Sequence, residues 1–535
     1  MKKTLLAGLI ATSIFGLTAC SAQHTDQSPQ TEQTQATNTT TSEILVTDIT
    51  RDYLMATNRL TTVDGLKLTT ASEAEVLELK ATIENAHDGD IVTIPPRKYA
   101  DLGAVTVTAN NLTIKAYSAG EAWLTGLVQL VLEGDDITVD GLVFTEGGPA
   151  ERFGAIRMMG DRNTLQNSTF YYFNHDYEHE PDERRSEYPR YLWLSLWGKD
   201  GKVLNNRFEG KQKRGTLIGV QKPDDTADNH LFADNLFLDQ QQNQFNELDI
   251  KEAIRIGDSK SSQFPSQSQF VNNLMINMDG ERELISIKSG ENVIANNTIF
   301  ESAALISLRH GKANVVDSNV ILGNEKRLTG GIRIYDEDHV ISNNYISGTR
   351  GRDGLIEGNA DLRGGAVINT GIIDVENNEV LDHEVQGKEL NKQSTPKNIT
   401  INNNTLIDTE WGFVYGNQTH RVSLFNNDIV ETIYTGVNVD FDSNVIDNTQ
   451  NPEFVSVRAT SDHPLVNPSY ANEFYAGAVT EAEQLGDYST TLPTVTTVGG
   501  FNSYEGTGAN VDELRIITAE TAGPDYKLIN TQKLK

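Results

Sequence analysis

The sequence predicts an all-β fold, a right-handed parallel β-helix with a short N-terminal cap helix. Three observations predict it. The first is an asparagine beat through LQNSTF (165–170), LNNRF (204–208), DNLFL (234–238), NNLMI (272–276), NNTIF (296–300), SNVIL (318–322), NNYIS (343–347), NNEVL (377–381), NNTLI (403–407), NNDIV (426–430) and SNVI (443–446). The second is its spacing: 24 residues from Asn273 to Asn297, 22 to Asn319, 25 to Asn344, and 23 from Asn404 to Asn427. The third is a run of short alternating strands, DIVTIPP (90–96), AVTVTANNLTIKA (104–116) and DDITVDGLVF (135–144), divided by Gly, Asn and Pro. A near-constant interval of this size is the length of one β-helix coil. Asn suits the bends because it tolerates a left-handed backbone and can bond its own backbone or the Asn of the next coil.

Taken in chain order, the start is a targeting segment. Lys2 and Lys3 precede an apolar run from Leu5 to Leu17, and Leu17-Thr18-Ala19-Cys20 follows. Residues 1–20 are expected to be a signal peptide that resembles a bacterial lipoprotein box, with Cys20 as the lipidated residue. Ser21 stands where an inner-membrane retention signal often carries Asp, so the expected location is the outer membrane, facing the periplasm or the cell surface. Cys20 is the sole cysteine, which excludes an internal disulfide. Residues 21–43, rich in Gln, Thr and Ser, read as a flexible linker. The segment ASEAEVLELKATIENA (71–86), with Ser72 as its cap, reads as the helix that covers the open end coil. The β-helix domain is expected over 44–450. Longer intervals, 167 to 206 and 235 to 273, would be coils that carry loops on a working face. Residues 451–535 lose the beat and read as a C-terminal closing segment. A propeller or sandwich also uses short strands, but the interval and the lack of a Trp-Asp blade signature favour the solenoid.

Composition limits the partners. The chain has 44 Lys and Arg against 75 Asp and Glu, a formal charge of −31. That field argues against nucleic-acid binding. It leaves room for a polyanionic sugar, provided that cations cluster locally.

Such a cluster is visible. Lys288 and Arg309 are 21 residues apart, so on a solenoid of this pitch they fall on adjacent coils about 4.8 Å apart. Two cations so close would favour the neutral amine that a general base needs. Arg333, 24 residues beyond Arg309, would add a third cation, and arginines in a row suit successive carboxylates of a polyuronate. Glu281 and Glu283 can share one face of a strand, and Asp249 lies one looped coil earlier. Three converging carboxylates would form a hard-cation site, with Ca²⁺ the expected ion. Set against this, a lone Lys or Arg on a β-helix flank is ordinarily solvated surface, and Glu281-Arg282-Glu283 could be a salt-bridge patch.

The stretches GERELISIKSGENVIANNTIFES (280–302) and LISLRHGKANVVDSNVILGN (305–324) resemble the signature of polysaccharide lyase family 6, which holds alginate lyases and chondroitinase B; EAIRIG (252–257) resembles a third family block. The likeness spans roughly 85 to 450. It implies a right-handed parallel β-helix that cleaves uronate polymers by β-elimination, commonly with calcium. Carried onto this chain, it makes Lys288 the general base and Arg309 the helper at the leaving oxygen. Glu281 and Glu283 match the calcium-binding glutamates. The remaining ligand, usually Asn, corresponds to Asp249, and two family glycines are replaced by Ile250 and Lys251. An ammonium at Lys251 is therefore the alternative to the ion, as in relatives that work without calcium. GGIRI (330–334) resembles the alginate-cleaving members, so alginate is the expected substrate, with guluronate-rich or mixed blocks ahead of pure mannuronate. Arg255, His230, His310 and Tyr335 are the further candidates for the cleft wall. The alternatives are a chondroitin or dermatan sulfate lyase, a glycoside hydrolase on a similar solenoid, which would need two flanking carboxylates, and a non-catalytic polysaccharide-binding protein at the surface.

Overall fold

The computed structural model describes residues 44–57, 59, 68–175, 191–242, 251–258, 261–351, 398–415, 439–459 and 491–526, with short strands at 366–368, 375–376, 379–380, 423–425, 428–430, 469–470 and 479–480. The expected signal (1–20), the linker (21–43) and Asp249 lie outside the described residues. Among those described, no helix is long and apolar enough to cross a membrane.

Parallel pairing dominates. Among the described residues, one sheet has 25 strands and a second has 13. The larger sheet divides into two strips that share the long strand Ala122–Leu132. Each coil therefore contributes three short strands, as in Gln269–Val271, Leu274–Met278 and Glu283–Lys288, before the next coil opens at Val293–Ala295. This is the expected right-handed parallel β-helix. Inward side chains repeat from rung to rung. Phe144, Phe170, Phe208 and Phe237 stack with ring centroids 4.4, 5.2 and 5.2 Å apart.

The cap helix α1 (Glu73–Glu84) forms as expected and starts with a capping box: Glu75 N–H donates to Ser72 Oγ, and Ser72 N–H donates to the Glu75 carboxylate at 2.7 Å. Leu79 and Ile83 on its inner side join the solenoid core.

The asparagines divide their labour. In each pair the first residue takes the left-handed backbone: Asn205, Asn272, Asn296, Asn343 and Asn403 all have φ between 53 and 57°. The second faces inward and stacks. Asn206, Asn235, Asn273, Asn297, Asn319, Asn344, Asn404 and Asn444 form one continuous ladder, each Oδ1 from Asn235 onward accepting from the backbone N–H and the side-chain amide of the rung before. A second internal row runs through His230, Ser268, Asn292, Asn314 and His339.

Two repeats behave differently from expectation. Asn404 stacks on Asn444, 40 residues on, not on a rung at Asn427. Strand Ser423–Phe425 pairs antiparallel with Asp428–Val430, and Val375–Glu376 with Glu379–Val380. Glu379–Val380 and Asp428–Val430 therefore pair antiparallel and not in the parallel coils.

The segment 491–526 runs back along one outer flank. Tyr504 Oη donates to Asp447, Ile517 N–H to Thr298 Oγ1, and Tyr526 Oη to the Asn167 carbonyl. Its Val511, Leu514 and Ile517 cover Leu236, Leu274, Phe300, Val320 and Val445, together with Val46, Ile49 and Leu54 from the N-terminal side.

Candidate active site

Seven consecutive strands of one strip carry the site: β1 (Ile156–Met158), β2 (Leu194–Leu196), β3 (Ile218–Val220), β4 (Ile254–Gly257), β5 (Glu283–Lys288), β6 (Leu305–His310) and β7 (Ile332–Ile334). Ile254, Ile285, Ile306 and Ile332 form one inward row, Ile256, Ile287, Leu308 and Ile334 form a second, and all are buried. The residues between them face outward. Register places Arg255 beside Ser286, Ser286 beside Ser307, and Ser307 beside Arg333.

Lys288 pairs with His310, not with Arg309, because the β5–β6 ladder shifts after Ile287. Arg309 is the extra residue of this bulge, a device that re-aims a side chain. A second shift separates Glu283 from Ile285. The expected simple stack of Lys288 on Arg309 is thus replaced by a broken register with a break on either side of the site. Both cations still enter one cluster.

Its centre is acidic. Glu252, Glu281 and Glu283 each offer an oxygen, and these atoms lie within 4.8 Å of one another. Lys288 Nζ donates to Glu252 Oε1 at 3.4 Å, and Thr216 Oγ1 donates to Glu252 Oε2 at 2.7 Å. Arg309 and Arg333 both donate to Glu283 Oε1, and Ser286 Oγ donates to Oε2 at 2.6 Å. Arg333 is further fixed by Ser307 Oγ at 3.1 Å and lies over the Tyr335 ring at 5.4 Å. The arginines expected to meet successive sugar carboxylates therefore share one protein carboxylate.

The three glutamates titrate differently. Burial would push Glu283 up, but the charges of Arg309, Arg333 and Lys288 and the Ser286 hydrogen bond hold it well below the usual range. Burial works against Glu252 as well, and Lys288, Arg255 and Thr216 keep it low. Glu281 goes well above its ordinary value: burial raises it, and Glu252 and Glu283 reinforce the rise. It is the acid of the three whose charge is least compensated.

That donor set fits a hard divalent cation. Three crowded carboxylate oxygens, one of them under-compensated, suit an all-oxygen site. Glu281 and Glu283 were expected there. Asp249, the third ligand expected, lies outside the described residues, and Glu252 was not foreseen. The signal for it existed: EAIRIG (252–257) and ELISIK (283–288) align rung on rung through Ile254 and Ile285, which puts Glu252 over Glu283.

Of the remaining candidates, Arg255 belongs to the outward face of the strip, Tyr335 follows β7 as a buried residue beneath the Arg333 guanidinium, and His310 ends β6 as a buried residue. His230 does not belong there. It is 1% exposed and lies in the internal row, where its Nδ1 accepts from Gly201 N–H at 3.0 Å. Burial drives its pKa down to about 3, so it is a neutral structural rung, and its assignment to the cleft wall is corrected.

Comparison with known proteins adds to this geometry. The family pattern described as Chondroitinase B matches residues 73–462. A solved structure described as a new PL6 alginate lyase in complex with a trisaccharide is 69% identical, covers 91% of this chain and 99% of its own, and superposes with a TM-score of 0.85. The alginate lyase AlyF-OU02, also solved in a complex, is 70% identical with the same coverage and TM-score. A mannuronic-acid-specific family 6 lyase from human gut microbiota, at 23% identity and a TM-score of 0.60 over 79% of this chain and 89% of its own, shares the fold. A search of curated proteins returned no match.

Proposed function

The chain belongs to the chondroitinase B family, polysaccharide lyase family 6, and from that premise we propose that it cleaves alginate by β-elimination at the Lys288–Arg309 cluster. One observation carries this reading: a lysine and an arginine from neighbouring strands enter the same group of buried carboxylates on one outward face. The two alginate lyases at 69 and 70% identity supply the substrate class.

The chemistry follows from the difficulty of the step. A proton at C5 of a uronate is removed only if the charge that moves onto its carboxylate is stabilised. Lys288 takes the C5 proton as its amine, and Glu252 holds the ammonium that results. Arg309, whose side chain is 36% exposed, reaches the polymer and eases departure of the 4-oxygen. Glu283 fixes Arg309 and Arg333 together, so the helper's position depends on an acid that never touches the sugar. The C5–H bond and the C4–O bond break, a C4=C5 double bond forms, the C5 proton goes to Lys288, and the departing 4-oxygen takes a proton from solvent to leave as a hydroxyl. No water adds to the sugar, so the new nonreducing end is a 4,5-unsaturated uronate.

Glu252, Glu281 and Glu283 would hold the cation, and calcium is the ion that we favour for them. Bound there, a divalent ion supplies charge to neutralise the substrate carboxylate. Chelation is then expected to lower activity by about tenfold or more, the usual effect of disturbing a metal shell, with recovery on adding Ca²⁺. Full activity in metal-free protein would assign that task to the cations, with Lys251 and Arg282 as the nearest additional ones in sequence.

The decisive assay is the ultraviolet absorbance of the unsaturated product from alginate. Saturated ends would indicate hydrolysis, and binding without absorbance a non-catalytic protein. Preference for guluronate-rich or mixed blocks is part of the proposal, and defined block oligomers test it. Export as an outer-membrane lipoprotein anchored at Cys20 is proposed from the N-terminal sequence; labelled fatty acid should enter the wild type and not Cys20→Ser.

A further inference from the structure

Glu252 is held by two donors of different kinds. Lys288 Nζ reaches its Oε1 at 3.4 Å, and Thr216 Oγ1 donates to its Oε2 at 2.7 Å. Strand register sets up the second contact. Ile218 of β3 pairs with Ile254 of β4, and two residues back on each strand stand Thr216 and Glu252. The main chain holds the two rungs together at that point: Leu217 N–H donates to the Glu252 carbonyl at 2.9 Å, and Ile218 N–H to the Ala253 carbonyl at 3.0 Å. Threonine is stiff at χ1, so a hydroxyl on such a backbone is aimed. Thr216 is fully buried. A group so placed does not touch the polymer, and its effect on turnover passes through Glu252.

The carboxylate end of a glutamate turns about a broad, two-fold torsion. A hydroxyl fixed on one oxygen stops that turn. Oε2 is occupied, and Oε1 alone is left for Lys288. At 3.4 Å this contact is well beyond the roughly 2.8 Å of a tight ammonium–carboxylate bond. The two side chains are 13% and 3% exposed, so the slack is not the work of bulk water. Lys98 shows the alternative: its Nζ takes both oxygens of Glu146, at 2.8 and 3.0 Å. Glu283 repeats the arrangement of Glu252, with Ser286 Oγ on Oε2 at 2.6 Å and Arg309 and Arg333 on Oε1. A hydroxyl on one oxygen and cations on the other is the pattern of both acids.

We propose that Thr216 is a positioning residue: its hydroxyl pins one oxygen of Glu252, so that the carboxylate cannot close on Lys288 with both, and the lysine side chain keeps the slack to swing to the C5 proton. The inference rests on the lyase reading for the identity of that proton. Without the hydroxyl, Oε2 becomes a buried acceptor lacking a donor, a costly state. The Lys288 ammonium, already on Oε1, is the donor at hand to fill it.

The test compares wild type with Thr216→Val, which keeps the shape and removes the hydroxyl, and with Thr216→Ser, which restores it. Thr216→Val should lower kcat on alginate by about tenfold, within the range of a small displacement of a reacting group, with KM unchanged. Thr216→Ser should recover most of that loss. In a Glu252→Gln background, Thr216→Val should have no further effect, because the two changes act on one contact. An equal loss in both backgrounds would show a structural role and overturn the proposal, as would an unchanged kcat. A second readout needs no turnover: acylation of Lys288 by an amine reagent, followed by peptide mass spectrometry on chelator-treated protein. A lysine gripped by both oxygens should label more slowly in Thr216→Val, by a similar factor. Should wild type yield no unsaturated product, the lyase reading fails separately. Labelling then decides, since slower reaction in Thr216→Val supports the pin and an equal or faster one removes it.

Discussion

The asparagine ladder and the carboxylate cleft are built on the same coils and obey opposite rules. In the ladder, every rung presents the same group to the next, and each donor meets an acceptor one strand away. In the cleft, register breaks at both ends of the β5–β6 ladder, charges of like sign are pressed together, and Glu283 is shared between two arginines from different rungs. Regularity lets a solenoid satisfy its buried polar groups at every turn. The departure from regularity is where groups are left with something to do. Residues of the ladder should therefore govern stability without altering turnover, and residues of the cleft should do the reverse.

The sharpest break of this comparison is Lys288→Ala. It should lower kcat by about a thousandfold, within the range of a lost general base, while polymer binding and melting temperature stay close to wild type. Next is Glu283→Gln, which removes the anion that gathers Arg309 and Arg333. A loss of about a hundredfold in kcat/KM is expected from the mispositioned helper, and steady-state kinetics beside a melting curve would check that the fold survives. Activity at the wild-type level in either variant would place the chemistry elsewhere.

Ladder variants should show the mirror image. Asn297 accepts from Asn273 and donates to the Phe270 carbonyl and to Asn319. Asn297→Ala strands these buried groups, at a cost of about 2–4 kcal/mol, read by denaturant unfolding, with kcat/KM at 25 °C preserved.

The smallest effect concerns pH. His339 accepts from Asn314 N–H through Nδ1, at 3.0 Å, and its Nε2–H donates to the Tyr335 carbonyl at 2.8 Å, so the folded state needs it neutral. Burial lowers its pKa to about 4 from an ordinary 6.5. Between those values the unfolded chain binds a proton that the native state refuses, so stability falls as pH drops from about 6.5 toward 4. The cost at pH 5 is about 2 kcal/mol for one such histidine. His339→Asn keeps an acceptor of the kind used by neighbouring rungs and should narrow the difference between melts at pH 7 and pH 5, with His230 supplying the rest. An unchanged difference would free the ladder of this sensitivity and assign acid loss to the cleft.

What could be read from the sequence follows the same division. The pitch was legible because the ladder demands one residue type at one interval, and Lys288 and Arg309 were found through that pitch. Glu252 was missed because a single acid ahead of an apolar strand has no periodicity of its own; only aligning EAIRIG with ELISIK exposes it. The bulge at Arg309 was hidden for a related reason, since interval counting assumes an unbroken ladder. His230 misled in the other direction. A histidine among polar residues suggests a cleft wall, yet its rung neighbours, Gly201 and Ser268, mark it as a substitute for asparagine. NNEVL and NNDIV carried the coil signal, yet their strands Glu379–Val380 and Asp428–Val430 pair antiparallel with the strand just before them.

The flank segment 491–526 changes how such a solenoid comes apart. A stack whose coils touch only their neighbours can fray from either end, one repeat at a time. Here Tyr504, Ile517 and Tyr526 pin coils near Asp447, Thr298 and Asn167, sites far apart in the chain. Coils that would melt separately are thereby laced into one cooperative unit. The same lacing delays completion of the fold, because contacts of such long range close only after the ribosome has delivered residue 526.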